Sequence, residues 1–395
     1  MPKKYFGTDG IRGTVGITPI TADFMLKFGW AVGKVLCGEN GGSVLIGKDT
    51  RISGYMFESA LVAGLASAGV DSKLLGPLPT PGIAFLAKTF KSNAGIVISA
   101  SHNSYKDNGI KLFDSNGCKL ADEKEIEIEK MLSKEISSIE SVDVGNARRI
   151  NDASEQYVNF CKSTLPENFR LNGLKIVLDC ANGAAYKVGP RLFEELGCDL
   201  EIIGNRPDGY NINEKVGATQ TQSLASTVLK TKADLGIALD GDGDRVVMID
   251  GQGNLRDGDD ILFILANSRK RSKTFSGNLV GTLMTNLGLE VALKNIDVKL
   301  RRTQVGDRYV LECLKKENWN LGGEPSGHII CLDKTTTGDG LIAALQVLVE
   351  IKNTERKLEE LCYGLEKFPQ KLLNITVKPE AVDGIINGST LRDLV

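Results

Sequence analysis

Residues 94–109 read Ala-Gly-Ile-Val-Ile-Ser-Ala-Ser-His-Asn-Ser-Tyr-Lys-Asp-Asn-Gly. Ala94 to Ile98 form an unbroken apolar run of the length of one buried strand. The run stops at once in two serines, a histidine and an asparagine, followed by Lys106-Asp107-Asn108-Gly109. In open α/β sheets ligands collect beyond the carboxyl ends of strands, and this polar turn falls there. Ser101 beside His102 is an arrangement that can supply a nucleophile. The plainer alternative is a turn whose Ser and Asn side chains satisfy local backbone groups, and the segment taken alone favours that alternative.

Outward from this strand, apolar runs alternate with amphipathic segments. Ser43 to Gly47 reads as a strand, Tyr55 to Ala68 as a helix, Lys73 to Leu75 as a short strand and Ile83 to Thr89 as a helix. Such alternation predicts an α/β unit with largely parallel pairing. The scheme recurs twice. Lys175 to Asp179 opens a second round, with a helix over Val188 to Leu196 and a strand over Leu200 to Ile203. Asn278 to Leu283 opens a third, with a helix over Leu287 to Lys294 and a strand over Val298 to Arg301. Three related α/β units follow from the repetition. A polar stretch from Asp122 to Glu155, holding a charged helix over Glu123 to Lys134, and another from Asp250 to Gly258 separate them. The run Lys371 to Val377 reads as the opening strand of a further unit that nothing completes before Val395.

Composition narrows the function. The 395 residues are 42% hydrophobic and 25% charged, with a net charge of −2, an ordinary globular balance with enough length for several cores. No basic run is interleaved with aromatics, which argues against nucleic acid as a partner. No apolar run approaches the roughly 20 residues of a membrane span, and the two lysines near the start precede no apolar stretch of a signal peptide. The 8 cysteines are scattered, none at C-x-x-C spacing, which disfavours zinc and a disulfide framework and fits a reducing cytoplasm.

Three more segments carry chemistry. Asp240-Gly-Asp-Gly-Asp-Arg245 follows the apolar run Leu235 to Leu239. Three carboxylates this close repel unless a cation lies among them, and all-oxygen ligands suit Mg²⁺ or Ca²⁺. An EF-hand fits poorly, because Arg245 and Gly251 stand where that loop has Gly and Glu. Arg245 is placed to meet a phosphoryl group or to pair with a carboxylate. An acidic surface turn is the plain alternative. Gly322 to His328 offers Glu324 and Ser326 to sugar hydroxyls, or else is simply a tight turn. In Phe6 to Gly13 the glycines permit close backbone approach, and Arg12 can clamp a phosphate. Both histidines of the chain, His102 and His328, fall inside these segments.

Together, in this order, the four segments resemble the α-D-phosphohexomutase superfamily. Phe6 to Gly13 is similar to an N-terminal signature, Ser99 to Asn103 with Asp107 to Gly109 to the phosphoserine loop, Asp240 to Arg245 to the metal loop, and Gly323 to His328 to the sugar loop. The resemblance, over about residues 4–378, implies tandem α/β domains of the phosphohexomutase type at 1–148, 149–255 and 256–368, with 369–395 a linker and the incomplete start of a fourth. It implies that Ser101 is phosphorylated, and that Asp240, Asp242 and Asp244 bind one Mg²⁺ together with the Ser101 phosphate. Glu324 and Ser326 then hold sugar hydroxyls, while Arg12, His102, Lys111, Arg245 and His328 surround the transferring phosphate. The implied reaction interconverts glucosamine 6-phosphate and glucosamine 1-phosphate, with glucosamine or glucose 1,6-bisphosphate as intermediate or activator, in the supply of UDP-N-acetylglucosamine and cell-wall precursors. The alternatives are a phosphoglucomutase or phosphomannomutase, a phosphatase, or a sugar-phosphate-binding protein without turnover. The implied partner is a small sugar phosphate, with no nucleic acid and no membrane, in the cytoplasm; a homodimer is the assembly expected, although no motif encodes it. Ser104 stands where the family usually has Pro, Pro325 where it has a polar residue, and the fourth-domain loop Arg-x-Ser-Gly-Thr-Glu-Pro is missing from the sequence. Weak turnover is the expectation that follows from the missing loop.

Overall fold

The computed structural model describes residues 3–38 and 41–371, with positions 377, 384 and 385. The first unit runs β1 (Ile11–Thr14), α1 (Ala22–Leu36), β2 (Gly42–Lys48), α2 (Ser53–Ser67), β3 (Val70–Pro77), α3 (Thr80–Thr89), β4 (Ala94–Ile98), β5 (Asp107–Asp114), α4 (Asp122–Met131) and β6 (Ala147–Arg149). The second runs α5 (Ala153–Ser163), β7 (Lys175–Asp179), α6 (Val188–Leu196), β8 (Asp199–Ile203), α7 (Gln222–Thr231), β9 (Leu235–Leu239), β10 (Val246–Asp250) and β11 (Leu255–Arg256). The third runs α8 (Gly258–Arg271), β12 (Leu279–Thr282), α9 (Leu287–Lys294), β13 (Leu300–Thr303), α10 (Asp307–Glu317), β14 (Leu321–Gly323), β15 (Ile329–Cys331), α11 (Gly340–Thr354) and α12 (Leu358–Leu361). The strand expected over 371–377 lies outside the described residues apart from its two ends. Among the described residues no helix is long and apolar enough to cross a membrane.

Each unit is built on one sheet, in the orders β1-β5-β4-β2-β3-β6, β11-β10-β9-β7-β8 and β13-β12-β14-β15. The strands of the alternating scheme pair in parallel, β2 with β3 and β4, β7 with β8 and β9, and β12 with β13 and β14. Every unit also carries antiparallel pairing, including β1 with β5 and β10 with β11. The strand that leads into each polar loop is followed by an antiparallel partner, β4 by β5, β9 by β10 and β14 by β15. A short polar loop has no room for a helical crossover, so the chain must turn back on itself. The three polar loops therefore sit on three corresponding reversals.

Burial on both faces makes the strands apolar throughout, and the two-residue period sends neighbours to different cores. Val44 and Ile46 of β2 join one core with Ile96 and Ile98 of β4, under α1 and α2. Leu45 and Val97 face the other way, into a second core. That second core runs on through Ile176 and Leu178 of β7, Ile237 of β9, α8, Leu279 and α11. One apolar core thus passes through all three units. Phe85 stacks on Phe160 at 4.0 Å, and Tyr157 donates a hydrogen bond of 2.9 Å to Asp339, the N-cap of α11. This continuity holds the three loops at fixed separation.

Candidate active site

The loop after β4 places Ser101 in the left-handed region, φ 52°, fully buried. A non-glycine residue there is strained and needs its surroundings to hold it. The hold is a set of hydrogen bonds. Ser101 N–H donates to Ser99 Oγ (2.9 Å), and Ser99 Oγ donates to Asp49 (2.5 Å). Arg51, with no exposed surface, spreads its guanidinium over the inside of the loop. It donates to the carbonyls of Ser101 (3.0 Å), Asn103 (2.8 Å) and Asp107 (3.2 Å), and to that of Ser104, while Nε pairs with Asp49 at 2.8 Å. From the second unit, Asn213 Nδ2 donates to the carbonyls of Ser101 (2.9 Å) and Asn103 (3.0 Å).

So held, Ser101 Oγ donates to Asp240 Oδ2 at 2.6 Å, across 139 residues of sequence. The acidic loop between β9 and β10 brings one oxygen each of Asp240, Asp242 and Asp244 within 4.8 Å of one another, all three residues buried. Gly241 permits the approach, because a Cβ there would stand 2.6 Å from the Ser101 carbonyl oxygen. Asp242 Oδ2 accepts from Thr80 Oγ1 (2.6 Å) and from Lys111 Nζ (2.9 Å), and Asp244 Oδ2 accepts from Lys111 Nζ at 2.8 Å. Among the described residues, Asp242 Oδ1 and Asp244 Oδ1 are buried without a hydrogen-bond partner. Burial, then the charges of Asp244 and Asp242, push the Asp240 carboxyl well above its usual range. Burial would raise Asp244 too, but Lys111 and then His328 outweigh it and hold that carboxyl well down. Orphaned oxygens and mutual repulsion both fit a hard divalent cation with oxygen ligands. Asp242→Asn is expected to weaken Mg²⁺ binding about 100-fold, since even outer-shell changes at metal sites reach that scale. Isothermal titration against the parent chain measures it, and equal affinities would remove the acidic loop from the metal assignment.

A cavity of about 430 Å³ opens beside the acidic loop, lined by Arg12, Asp9, Arg245, Asp244, Glu324 and His328 among others. Three of the four segments singled out in the sequence meet on its walls. The Arg245 backbone N–H donates to Asp240 Oδ1 (3.1 Å) and its Nε lies 3.9 Å from Asp244 Oδ1. Arg12 pairs with Asp9, and Glu324 Oε1 accepts from Gly306 N–H at 3.1 Å. His328 stacks against Gly338, where a Cβ would stand 2.3 Å from Nε2, and its Nδ1 is 3.7 Å from Asp244. His102, half-buried, has Nδ1 3.5 Å from Ser101 Oγ. Burial, then the positive charges of Arg245 and Arg12, push that imidazole down to about 4, so it is uncharged near neutrality. Lys111 is buried, yet Asp242, Asp244 and Asp9 outweigh the burial and hold its ammonium well above the ordinary range. Ser101 and Lys111 lie beneath the cavity rather than on its wall. Ser326 is exposed and stands outside the lining.

Asp49, Arg51, Thr80, Asn213 and Asp9 were not among the residues the sequence suggested. For Asp49 and Arg51 a signal exists: they follow β2 at its carboxyl end, the same position that marks Ser101 after β4. Asn213 and Thr80 carry no local signal, since their roles rest on contacts between units.

The fold and loops define a class, and comparison with known proteins agrees with it. The profiles "Phosphoglucomutase/phosphomannomutase, alpha/beta/alpha domain I", "domain II" and "domain III" match residues 3–138, 155–253 and 257–368. A putative phosphomannomutase from Thermus thermophilus superposes with a TM-score of 0.80 at 25% identity, over 92% of this chain and 83% of that one. The phosphoglucosamine mutase of Nitrosococcus oceani is 59% identical over 95% of this chain and 84% of its own length, and that of Aeromonas hydrophila 56% identical over the same shares. The chain belongs to the phosphoglucosamine mutase branch of the phosphoglucomutase/phosphomannomutase family.

Proposed function

We propose that this chain interconverts glucosamine 6-phosphate and glucosamine 1-phosphate by passing a phosphoryl group through Ser101. The observation that carries the reading is the 2.6 Å contact between Ser101 Oγ and Asp240 inside the acidic triad. A buried hydroxyl facing three carboxylates has little to do in a binding protein. Phosphorylated, it would face Asp240, Asp242 and Asp244 and the cation they would hold.

In the first half-reaction the sugar 1-hydroxyl attacks the phosphorus on Ser101. The bond to Oγ breaks, the bond to the sugar oxygen forms, and the hydroxyl proton passes to the chain; His102, uncharged near neutrality and 3.5 Å from Ser101 Oγ, is the group placed to accept it, while Lys111 keeps its charge between the carboxylates. The second half-reaction returns the 6-phosphoryl group of the resulting 1,6-bisphosphate to Ser101. Phosphoryl transfer asks for positioning and charge neutralisation more than for covalent chemistry, which is what Arg12, Arg245 and Lys111 supply. Mg²⁺, held by Asp240, Asp242 and Asp244, would neutralise charge on the transferring group. Glu324 on the cavity wall accepts from sugar hydroxyls, and Ser326, exposed on the same loop, is the second group assigned to them. The eight free cysteines support a reducing cytoplasm as its place of work.

Glu324→Ala is expected to lower kcat/KM about 10- to 100-fold through loss of a charged hydrogen bond to the sugar. Steady-state rates of the variant and its parent measure this, and parity would remove Glu324 from the sugar site. The reading as a whole is tested by comparing rates on glucosamine, glucose and mannose 6-phosphates. Glucosamine 6-phosphate should be the best substrate. Faster turnover of glucose or mannose 6-phosphate would make the chain a general hexose mutase, and release of inorganic phosphate a phosphatase.

A further inference from the structure

Lys119 belongs to none of the four segments. It follows β5 in the stretch Asn116-Gly117-Cys118-Lys119, where a bridge with Phe113 fixes its backbone. Its side chain is only 12% exposed and passes between two carboxylates. Asp9, from the N-terminal loop of the first unit, accepts from Nζ at 2.6 Å, and Asp307, the first residue of α10 in the third unit, pairs with the same nitrogen. Beyond Asp9 lie Arg12, which pairs with it, and Lys111 Nζ at 3.2 Å. Beyond Asp307 lie His328 Nε2 at 3.4 Å and Gly306, whose N–H holds Glu324. Burial would lower the Lys119 ammonium, but Asp307 and Asp9 outweigh it and keep the charge in place.

Asp9 and Asp307 line the cavity, and Lys119 stands behind them. Without its ammonium, two carboxylates from different units would face each other across a gap with nothing between them but their repulsion. Each carries a reaction group on its far side, Arg12 on the phosphoryl side and the Glu324–His328 loop on the sugar side.

We propose that Lys119 is a positioning residue for phosphoryl transfer: by bridging Asp9 and Asp307 it sets the separation between Arg12 and the Glu324–His328 loop. It touches no substrate and moves no proton. The inference rests on the function proposed above, because it is the distance between the two ends of a sugar phosphate that the bridge holds constant.

The test is single-turnover transfer from the Ser101-phosphorylated chain to glucosamine 6-phosphate, in the presence of Mg²⁺, followed by intact mass. Lys119→Met keeps the stem and removes the charge. It is expected to lower the limiting transfer rate about 10- to 100-fold, the scale of a displacement near 1 Å at a reacting centre. Thermal unfolding should fall by roughly 10 °C, as for a buried charge left unpaired, so the rate is read well below the midpoint. Lys119→Arg should recover most of the rate, which a purely structural packing role would not require. Asp307→Asn approaches the bridge from the other unit and keeps the test open should Lys119→Met fold poorly. Its loss and that of Lys119→Met should not multiply in the double variant, since both break one bridge. Transfer by Lys119→Met at the parent rate, or losses that multiply, would overturn the proposal. A parent chain that loses no phosphate to any hexose phosphate would instead overturn the proposed function, and the role of Lys119 with it.

Discussion

Ser101→Ala is expected to end phosphate incorporation in the 94–109 segment and to reduce mutase turnover by about 10⁴-fold or more, the scale of removing a covalent nucleophile. The expectation comes from geometry as well as chemistry. Ser101 Oγ is the only hydroxyl described at 2.6 Å from Asp240, and its neighbour Ser99 is already committed to Asp49. A further hydroxyl at the acidic loop, Thr80 Oγ1, is committed to Asp242 Oδ2 at 2.6 Å. Because Ala lacks only one buried oxygen, the fold should survive, although Asp240 loses its donor. Incubation with glucose 1,6-bisphosphate followed by peptide mapping gives the first measurement, and coupled turnover the second. Phosphate appearing in the Ala variant on the same peptide at the parent level would remove Ser101 from the mechanism.

Arg51→Met is expected to destabilise the protein by about 3–5 kcal/mol, the cost of leaving a buried charge and its acceptors unpaired. At roughly 2–4 °C per kcal/mol for a large domain, the midpoint of thermal unfolding should fall by roughly 10 °C. The reason lies in how much one guanidinium does. It satisfies carbonyls of Ser101, Asn103, Ser104 and Asp107 and holds Asp49, all within the first unit. The strain of a central residue at φ 52° is otherwise met by the Ser101 N–H bond to Ser99 Oγ and by Asn213, neither of which carries a charge. Arg51→Lys should rescue little, since an ammonium cannot spread over acceptors that a planar fork reaches together. Phosphorylation of Ser101 should slow in parallel. A midpoint within about 1 °C of the parent would mean that the loop is held by Asn213 and its own backbone, and the stability argument would fail.

How far the fold was legible depended on what each element packs against. The strand at Ala94–Ile98, the strand at Lys175–Asp179 and the helices Val188–Leu196 and Leu287–Lys294 lie where their local patterns put them. The strand expected over 298–301 lies instead at Leu300–Thr303, because the ladder with β12 pairs Leu279 with Leu300 and decides the register. Helices α8 and α11 escaped pattern reading for a physical reason. Ile261 to Ala266 and Leu341 to Leu345 are consecutive buried residues, so neither helix shows the one-sided apolar stripe that marks a surface helix. Pairing direction escaped too, since an apolar strand buried on both faces reads alike whichever way its neighbour runs.

The candidate site divides along the same line. The sequence by itself determined the chemical inventory: a serine and histidine after a buried strand, three carboxylates spaced by glycines, a glutamate in a tight turn, and an arginine near the start. Those are short-range facts, set by which residues share a loop and by which strand ends there. Only the tertiary structure decided that Ser101 faces Asp240, that Lys111 reaches Asp242 and Asp244, that Arg51 and Asn213 hold the serine loop, and that Lys119 joins Asp9 to Asp307. Most of these contacts join residues more than a hundred positions apart. They exist because one apolar core runs through all three units and brings their loops to a common cleft, where side chains with no shared local sequence come within hydrogen-bonding distance.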